Sequence, residues 1–200
     1  PYSSSKACAE LVTSAYRDSY FSVKGGAGVA SARAGNVIGG GDWSDDRLIP
    51  DIISAFESGK VLQIRSPDAT RPWQHVLEPV SGYMSLAERL VESPDQWSEA
   101  WNFGPEAEDV QPVSWIVDRM AQLWTGEVSW SIEESDNVHE ANNLSLDISK
   151  AKRLMNWHPR WKLARALSSI ISWHQRYSSG HDMASVCLEQ IEEFTSQDAS

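Results

Sequence analysis

The first residues of the chain show a helical and then a strand-like pattern of apolar positions. Leu11, Val12, Ala15 and Tyr16 recur at the spacing of one helix face, so we predict a helix over residues 3–20 with a buried apolar face. The glycine-rich stretch 25–28 breaks this pattern, and the short, partly β-branched run 29–34 predicts a buried strand. A helix followed by a buried strand is half of a βαβ unit, which favours a parallel sheet.

Short strands among helices are predicted for the rest of the chain. Helical patterns cover residues 47–58, 79–91, 113–124, 149–155, 163–177 and 183–194, with Ser114 and Ser149 as candidate caps. Short strands are predicted at 62–64, 73–76, 101–104, 128–132 and 144–147. The predicted fold class is therefore α/β, with the end of a parallel sheet over residues 1–35 and a small α+β lobe after it.

Composition and charge argue against several classes of protein. The 200 residues carry a net charge of -11, which argues against a nucleic-acid binder or a binder of membrane surfaces. No apolar run approaches the roughly 18 residues of a membrane span, and the first residues do not resemble a signal peptide. Cys8 and Cys187 lie far apart and are interpreted as reduced thiols of a cytoplasmic protein. No His, Cys and Asp grouping has metal-ligand spacing, so no metal is predicted.

Tyr2 and Lys6 form the first candidate for chemistry. Four residues apart on a helix, their side chains project from one face, one turn apart. An ammonium near a phenol favours the phenolate, so Tyr2 is a candidate general base. The alternative is a solvated lysine beside a half-buried tyrosine, because any amphipathic helix can carry this spacing by chance.

A glycine-rich segment at 35–43 is the second candidate. It follows the carboxyl end of a predicted parallel strand, where ligands bind in open α/β sheets. Asn36 supplies both a donor and an acceptor at this point. The alternative is a flexible turn whose asparagine caps a backbone group.

Arginines follow this segment closely in an otherwise acidic chain. Arg33, Arg47, Arg65 and Arg71 lie within 40 residues of one another, and arginine makes forked hydrogen bonds to phosphate oxygens. Arg47 also precedes a predicted helix, whose N-terminus favours an anion. Arg71 is the strongest of the four because aromatic residues follow it. The alternative is a set of surface salt bridges with neighbouring aspartates.

Two histidines are weaker candidates. His75 lies close to Arg71 in the sequence and is a candidate contact for a nucleotide base or ribose. His139 lies in a polar loop.

Three segments carry a family resemblance. They are Pro-Tyr-Ser-Ser-Ser-Lys at 1–6, Gly-Gly-Gly-Asp-Trp at 39–43 and Arg-Pro-Trp-Gln-His-Val-Leu-Glu-Pro at 71–79. Together they resemble the CDP-glucose 4,6-dehydratase branch of the extended short-chain dehydrogenase/reductase family. The resemblance covers essentially the whole chain, and the second and third segments are its specific part.

The resemblance implies a fold and residue roles. Residues 1–35 would be the tail of a Rossmann-type NAD-binding domain, and residues 36–200 a substrate-binding lobe with interleaved returns to that sheet. Tyr2 would take the proton of the sugar 4-hydroxyl while hydride passes to NAD, and Lys6 would hold the nicotinamide ribose and lower the pKa of Tyr2. The implied substrate contacts are Asn36, Arg47, Leu48, Arg65, Arg71, His75 and His139.

The resemblance also implies an activity and a setting. The implied reaction converts CDP-glucose to CDP-4-keto-6-deoxyglucose, a precursor of deoxysugars, in a cytoplasmic homodimer. Because the family's glycine motif and elimination acid and base precede the Tyr-x-x-x-Lys motif, we expect this chain to be a C-terminal part that is inactive alone. The alternatives are another nucleotide-sugar dehydratase or epimerase, and a non-catalytic remnant that binds nucleotide sugars.

Overall fold

A computed structural model of the chain describes residues 1–22, 26–133 and 143–197. The helices are α1 (Tyr2–Tyr16, continued by a π-helical turn Arg17–Phe21), α2 (Leu48–Ser58), α3 (Leu77–Glu92), α4 (Pro94–Trp97), α5 (Val113–Leu123), α6 (Leu163–Ser178) and α7 (Met183–Ser196). A 3-10 turn spans Ala107–Asp109 and a π-helical turn spans Ala151–Met155. The strands are β1 (Ser31–Ala34), β2 (Asn36–Ile38), β3 (Leu62–Ile64), β4 (Thr70–His75), β5 (Ala100–Phe103), β6 (Val110–Pro112) and β7 (Trp130–Ile132).

These strands form small sheets that are mostly parallel. β1 pairs with β5, and β3 pairs with β7, both in parallel. β4 lies between β2, which is parallel to it, and β6, which is antiparallel. Parallel pairs need long crossover connections, and here helices α2 and α3 supply them, as expected for an α/β fold.

The larger core lies between the three-stranded sheet and helices α2, α5 and α6. Helix α2 shows how the sequence builds it, because Ile49, Ile52, Ile53 and Phe56 follow a helical repeat and are all buried. Each such side chain contributes about 2 kcal/mol by leaving water. The helix ends at Gly59, which takes the left-handed conformation with a φ of 64°.

A second core lies beneath the β1–β5 pair. Its buried members are Leu86, Trp97, Trp101, Phe103, Ile148, Ala151, Met155 and Trp157. Gly82 on α3 permits this packing, since a Cβ there would stand 2.3 Å from the Phe103 ring. The cores draw on widely separated parts of the sequence, and the predicted division at residue 35 stays a prediction.

The predicted burial of α1 is wrong. The helix forms where expected, but it has no buried residue, and Leu11, Val12 and Tyr16 are more than half exposed. No other element among the described residues covers its apolar side. The helix is tied instead by Glu10, whose carboxylate accepts two hydrogen bonds from Arg33 (2.7 and 2.8 Å) and one from Ser31 (2.7 Å).

Other local expectations are also corrected. The segment after Gly35 is a strand and not a loop, because residues 36–38 pair with β4. Strand β1 is shorter than predicted and only partly buried, since it pairs with β5 on one edge. The run 144–147 forms no strand in the described structure. Neither Ser114 nor Ser149 caps a helix through its side chain, and Asp147 accepts from the Ser149 N–H instead (2.9 Å).

Glu78, which is fully buried at the start of α3, fastens the chain before α6 to the core. Its carboxylate accepts hydrogen bonds from the backbone N–H groups of Arg160 (3.0 Å) and Trp161 (2.7 Å). Burial raises the pKa of Glu78 to about 7, against the pull of these backbone donors. Compared with the unfolded chain, the folded protein therefore favours the protonated carboxyl of Glu78.

We predict that Glu78→Gln removes a pH dependence of stability. A folded pKa of about 7 against an ordinary 4.5 means that the unfolded state loses its proton first, so stability falls as pH rises through this window, by about 3 kcal/mol in all. Glutamine keeps the Oε1 acceptor and does not ionise. Urea unfolding at about pH 5 and about pH 7.5 should show the variant gaining on the wild type as pH rises.

Glu88→Gln is the matched control, because Glu88 is an exposed residue of the same helix. It should follow the wild-type profile at both pH values. Parallel profiles for Glu78→Gln and wild type would show that Glu78 has an ordinary pKa in the folded protein.

Candidate functional site

One cleft gathers most of the side chains that the sequence singled out. It has a volume of about 880 Å³ and lies between β2, the start of α2, the end of β3 and β4. Of the predicted site residues, its lining includes Tyr2, Asn36, Arg47, Leu48, Arg65 and Arg71. Lys6 and His75 are not part of the lining.

The wall that carries Asn36 and Arg71 is set by the pairing of β2 with β4. Asn36 lies opposite Trp73 in the parallel register, and Arg71 lies two residues before Trp73. The chain reaches this position through Gly35, where a Cβ would stand 2.2 Å from the Pro72 carbonyl oxygen. Only a glycine permits that approach, so Gly35 allows Asn36 to lie beside strand β4, which carries Arg71.

The N-terminus of α2 forms a second wall. Arg47 occupies the N-cap position in an extended conformation, and its exposed side chain and that of Leu48 border the cleft. The first backbone N–H groups of a helix have no partner inside the helix and carry a partial positive charge. This end of the cleft therefore suits an anion.

Two further arginines border the cleft in different surroundings. Arg71 is nearly buried and donates from Nη1 to the Thr70 carbonyl oxygen at 2.9 Å, which orients its guanidinium. Arg65 is exposed, and its Nε lies 3.7 Å from the Glu133 carboxylate. Arg33, in contrast, is engaged by Glu10 and Asn102, so the structure gives it a structural role.

Tyr2 stands at the mouth of the cleft. Its side chain lines the cleft and is 74% exposed, and the Lys6 ammonium lies 5.4 Å from the centre of its ring. The pair thus projects from one helix face, as the spacing predicted. A phenol and an ammonium that both reach open space match the hydroxyl and ether oxygens of a ribose, so these residues fit one end of a dinucleotide.

Carboxylates also line the cleft, and sequence reasoning assigned them no role there. They are Asp42, Asp46, Asp51 and Glu133. Burial raises the pKa of Asp51, and the nearby charge of Asp46 raises it further, while Arg65 opposes this. The sequence carries a signal, since Asp46 and Asp51 flank the start of α2, but aspartates beside arginines indicate surface salt bridges equally well.

The two candidate histidines do not join this site. His75 is buried with its ring 4.8 Å from that of Trp161, and its Nδ1 accepts from the Leu77 N–H at 3.3 Å. Burial, and then the charge of Arg165, lowers the pKa of His75 to about 4, so it is neutral in the core. The structure therefore does not bring His75 to the cleft, and His139 lies outside the described residues.

The described residues contain neither a metal-ligand cluster nor a membrane-spanning helix. Among residues 1–22, 26–133 and 143–197, His, Cys, Asp and Glu form no group that could hold a metal ion. Within the same ranges, every helix is too short or too polar to cross a membrane.

The sequence of the chain is similar to a known family and to a curated protein. Residues 1–170 match the sequence model of the family described as GDP-mannose 4,6 dehydratase. A curated CDP-glucose 4,6-dehydratase of Salmonella typhimurium is 50% identical over 200 residues, which cover 98% of this chain and 56% of the relative. The chain thus spans about half the length of this relative.

Solved structures share the fold at low sequence identity. A dTDP-glucose 4,6-dehydratase from Bacillus anthracis, in complex with NAD, superposes with a TM-score of 0.71 at 20% identity, over 90% of this chain and 53% of that one. A UDP-glucuronic acid 4-epimerase from Bacillus cereus gives 0.69 at 18% identity, over 84% and 50%. These likenesses confirm the predicted Rossmann-type α/β fold. With a match over residues 1–170, the chain belongs to the GDP-mannose 4,6 dehydratase family.

Proposed function

We propose that this chain supplies the Tyr-x-x-x-Lys helix and the substrate lobe of an NAD-dependent CDP-glucose 4,6-dehydratase. The observation that carries the proposal is the shared cleft, which Tyr2, Asn36, Arg47 and Arg71 all line. Half of the aligned positions are identical to those of a CDP-glucose 4,6-dehydratase, which supports this substrate. Because the chain spans 56% of that relative, the proposal concerns the role of this part in a complete enzyme.

The cleft suits the diphosphate of a nucleotide sugar. Arg47 and the N-terminus of α2 face it from one wall, and Arg71 and Asn36 from the other. Guanidinium groups make charge-assisted hydrogen bonds to phosphate oxygens, each contributing about 1.5–3 kcal/mol. The lining carboxylates Asp46 and Asp51 flank the same helix end and oppose binding of an anion there, so the arginines supply the attraction for the diphosphate.

The position of Tyr2 in the cleft lining supports a role on the sugar. In the proposed reaction its phenolate accepts the proton of the sugar 4-hydroxyl, and the nearby Lys6 ammonium stabilises that phenolate. When bound, NAD would supply a hydride acceptor for C4 and later a hydride donor for C6. Water leaves across C5 and C6 between these steps, so the net reaction is that of a hydro-lyase.

A 4-epimerase is the second candidate. The epimerase from Bacillus cereus has nearly the same TM-score as the dehydratase, and both activities begin by oxidation at C4. The two differ in where hydride returns. Formation of a 4-keto-6-deoxy sugar supports the dehydratase, and an inverted 4-hydroxyl supports the epimerase.

We also propose that the complete enzyme is a cytoplasmic homodimer. The exposed apolar side of α1, with Leu11, Val12 and Tyr16, supports burial of this helix in an assembly. Sedimentation of the natural protein at micromolar concentration would distinguish a dimer from a monomer.

Tyr2→Phe should remove turnover and spare substrate binding. The change deletes only the hydroxyl of an exposed side chain, so folding is retained, and loss of a general base lowers kcat by about 10²–10⁴-fold. Product formation from CDP-glucose and the Kd of CDP-glucose are the measurements, in the natural protein that carries this chain.

Tyr83→Phe serves as the control, since Tyr83 lies on α3 against Phe103 and outside the cleft. It should keep its turnover. Full turnover by Tyr2→Phe would exclude the proposed proton transfer.

Arg47→Ala should weaken binding of the nucleotide sugar. Arg47 is exposed, so its removal leaves the core intact, and one charge-assisted contact is lost, which corresponds to about 10–100-fold in Kd. Calorimetry with CDP-glucose, UDP-glucose and dTDP-glucose gives both the loss and the base preference.

The control for Arg47→Ala is Lys60→Ala, which removes an exposed positive charge beyond the other end of α2. It should leave the Kd unchanged. An equal loss in both variants would point to the overall charge of the protein and not to the cleft, and tighter binding of UDP- or dTDP-glucose would contradict the CDP assignment.

A further inference from the structure

A second concave surface lies apart from the substrate cleft, and we name it the aromatic groove. It has a volume of about 990 Å³ and is lined by Trp43, Glu57, Trp124, Thr125, Gln175, Tyr177, Ser178 and Ser179. None of these residues lines the substrate cleft. Neither the proposed reaction nor the family resemblance gives this groove a role.

The aromatic wall of the groove is exposed but held in place. Trp43 is 56% exposed, yet its ring lies 5.2 Å from both His174 and Tyr177. Tyr177 in turn stacks on the buried Trp173 at 5.5 Å with nearly parallel planes. Exposed aromatic faces that are already fixed by packing lose little conformational entropy when a ligand binds to them.

The glycines before Trp43 explain how the ring reaches this position. A Cβ at Gly40 would stand 2.2 Å from Cγ of Trp173, and Gly41 has a φ of 76°. Only a glycine pair lets the backbone lie directly on the Trp173 ring. The loop is therefore built against α6, and this contact sets where Trp43 projects.

The electrostatics of the groove favour a cation. The last turns of α2 and α6 and the residues just after α5 line it, and helix C-termini carry a partial negative charge. Neither α2 nor α5 has a basic residue in its last turn, and Arg176 of α6 pairs with Glu189. Lys60 lies two residues beyond α2 and does not line the groove. Of the described residues that line the groove, Glu57 alone is charged, and its carboxylate accepts from the Ser178 hydroxyl at 3.4 Å.

We propose that the aromatic groove binds a substituted ammonium group. Trp and Tyr faces attract a weakly hydrated cation through the ring quadrupole, and three helix C-termini and Glu57 add negative potential on the same side. The net charge of -11 favours the approach of cations in general. A neutral sugar gains nothing from the helix ends or from Glu57, so the charge is what selects the cation.

Choline and its uncharged carbon isostere, 3,3-dimethylbutan-1-ol, test the proposal directly. Titration of the ¹⁵N-labelled protein at low ionic strength should shift the Trp43 indole N–H signal, which is assigned by its loss in Trp43→Phe. Choline should bind with a Kd on the order of 1 mM, and the isostere at least about 10-fold more weakly. Methyl glucoside is the third ligand and should leave the signal unshifted.

Glu57→Gln tests the charge without altering shape. It should weaken choline binding by about 3-fold, whereas Glu92→Gln, which removes an exposed charge at the end of α3, should leave it unchanged. Equal affinity for choline and its isostere would show a merely apolar surface. Binding of the glucoside alone, or an unchanged Kd in Glu57→Gln, would likewise overturn the proposal.

Discussion

The whole arrangement depends on the burial of strand β4. Its residues from Arg71 to His75 are all buried, and successive side chains contact different parts of the structure. Arg71 and Trp73 reach the substrate cleft, whereas the Gln74 side chain donates to the Phe103 carbonyl oxygen at 2.8 Å. That bond joins the three-stranded sheet to the β1–β5 pair. Because an unpaired polar group in the interior is costly, the position of the two sheets is fixed where the arginine enters the cleft.

The Gly-Gly-Gly-Asp-Trp segment packs against a tryptophan of α6, which its composition does not predict. A run of glycines suggests a loop that wraps around a phosphate, but Gly40 and Gly41 lie against the Trp173 ring. The next two residues face different surfaces, since Asp42 borders the substrate cleft and Trp43 borders the aromatic groove. A single short segment thus separates two concave surfaces, and it packs against Trp173 of α6.

Much of the fold was predictable from the sequence, because helix periodicity and glycine stops are local signals. Helices α2, α5, α6 and α7 lie within about two residues of the predicted ranges. The cleft residues near the Arg-Ala-Gly-Asn segment were also identified, since the carboxyl end of a parallel strand is a known place for ligands. The expectations for α1 and His75 depended on tertiary contacts, which local sequence patterns do not contain. The apolar periodicity of α1 predicts a covered face but cannot name what covers it. For His75, proximity to Arg71 in sequence did not show that the strand carries it into the core.

The attachment of α1 affects how the Tyr2 hydroxyl is positioned. Among the described residues, the hydrogen bonds that tie this helix to another element are those of Glu10, where two hydrogen bonds from Arg33 lower the pKa of the carboxyl to about 2. This ion pair is partly exposed, and such pairs contribute at most about 1 kcal/mol. One weak tether cannot by itself hold a hydroxyl to the sub-ångström tolerance that proton transfer requires. In the proposed homodimer, the surface that covers the apolar side of this helix would also set the position of Tyr2, so assembly and the proposed proton transfer would be linked.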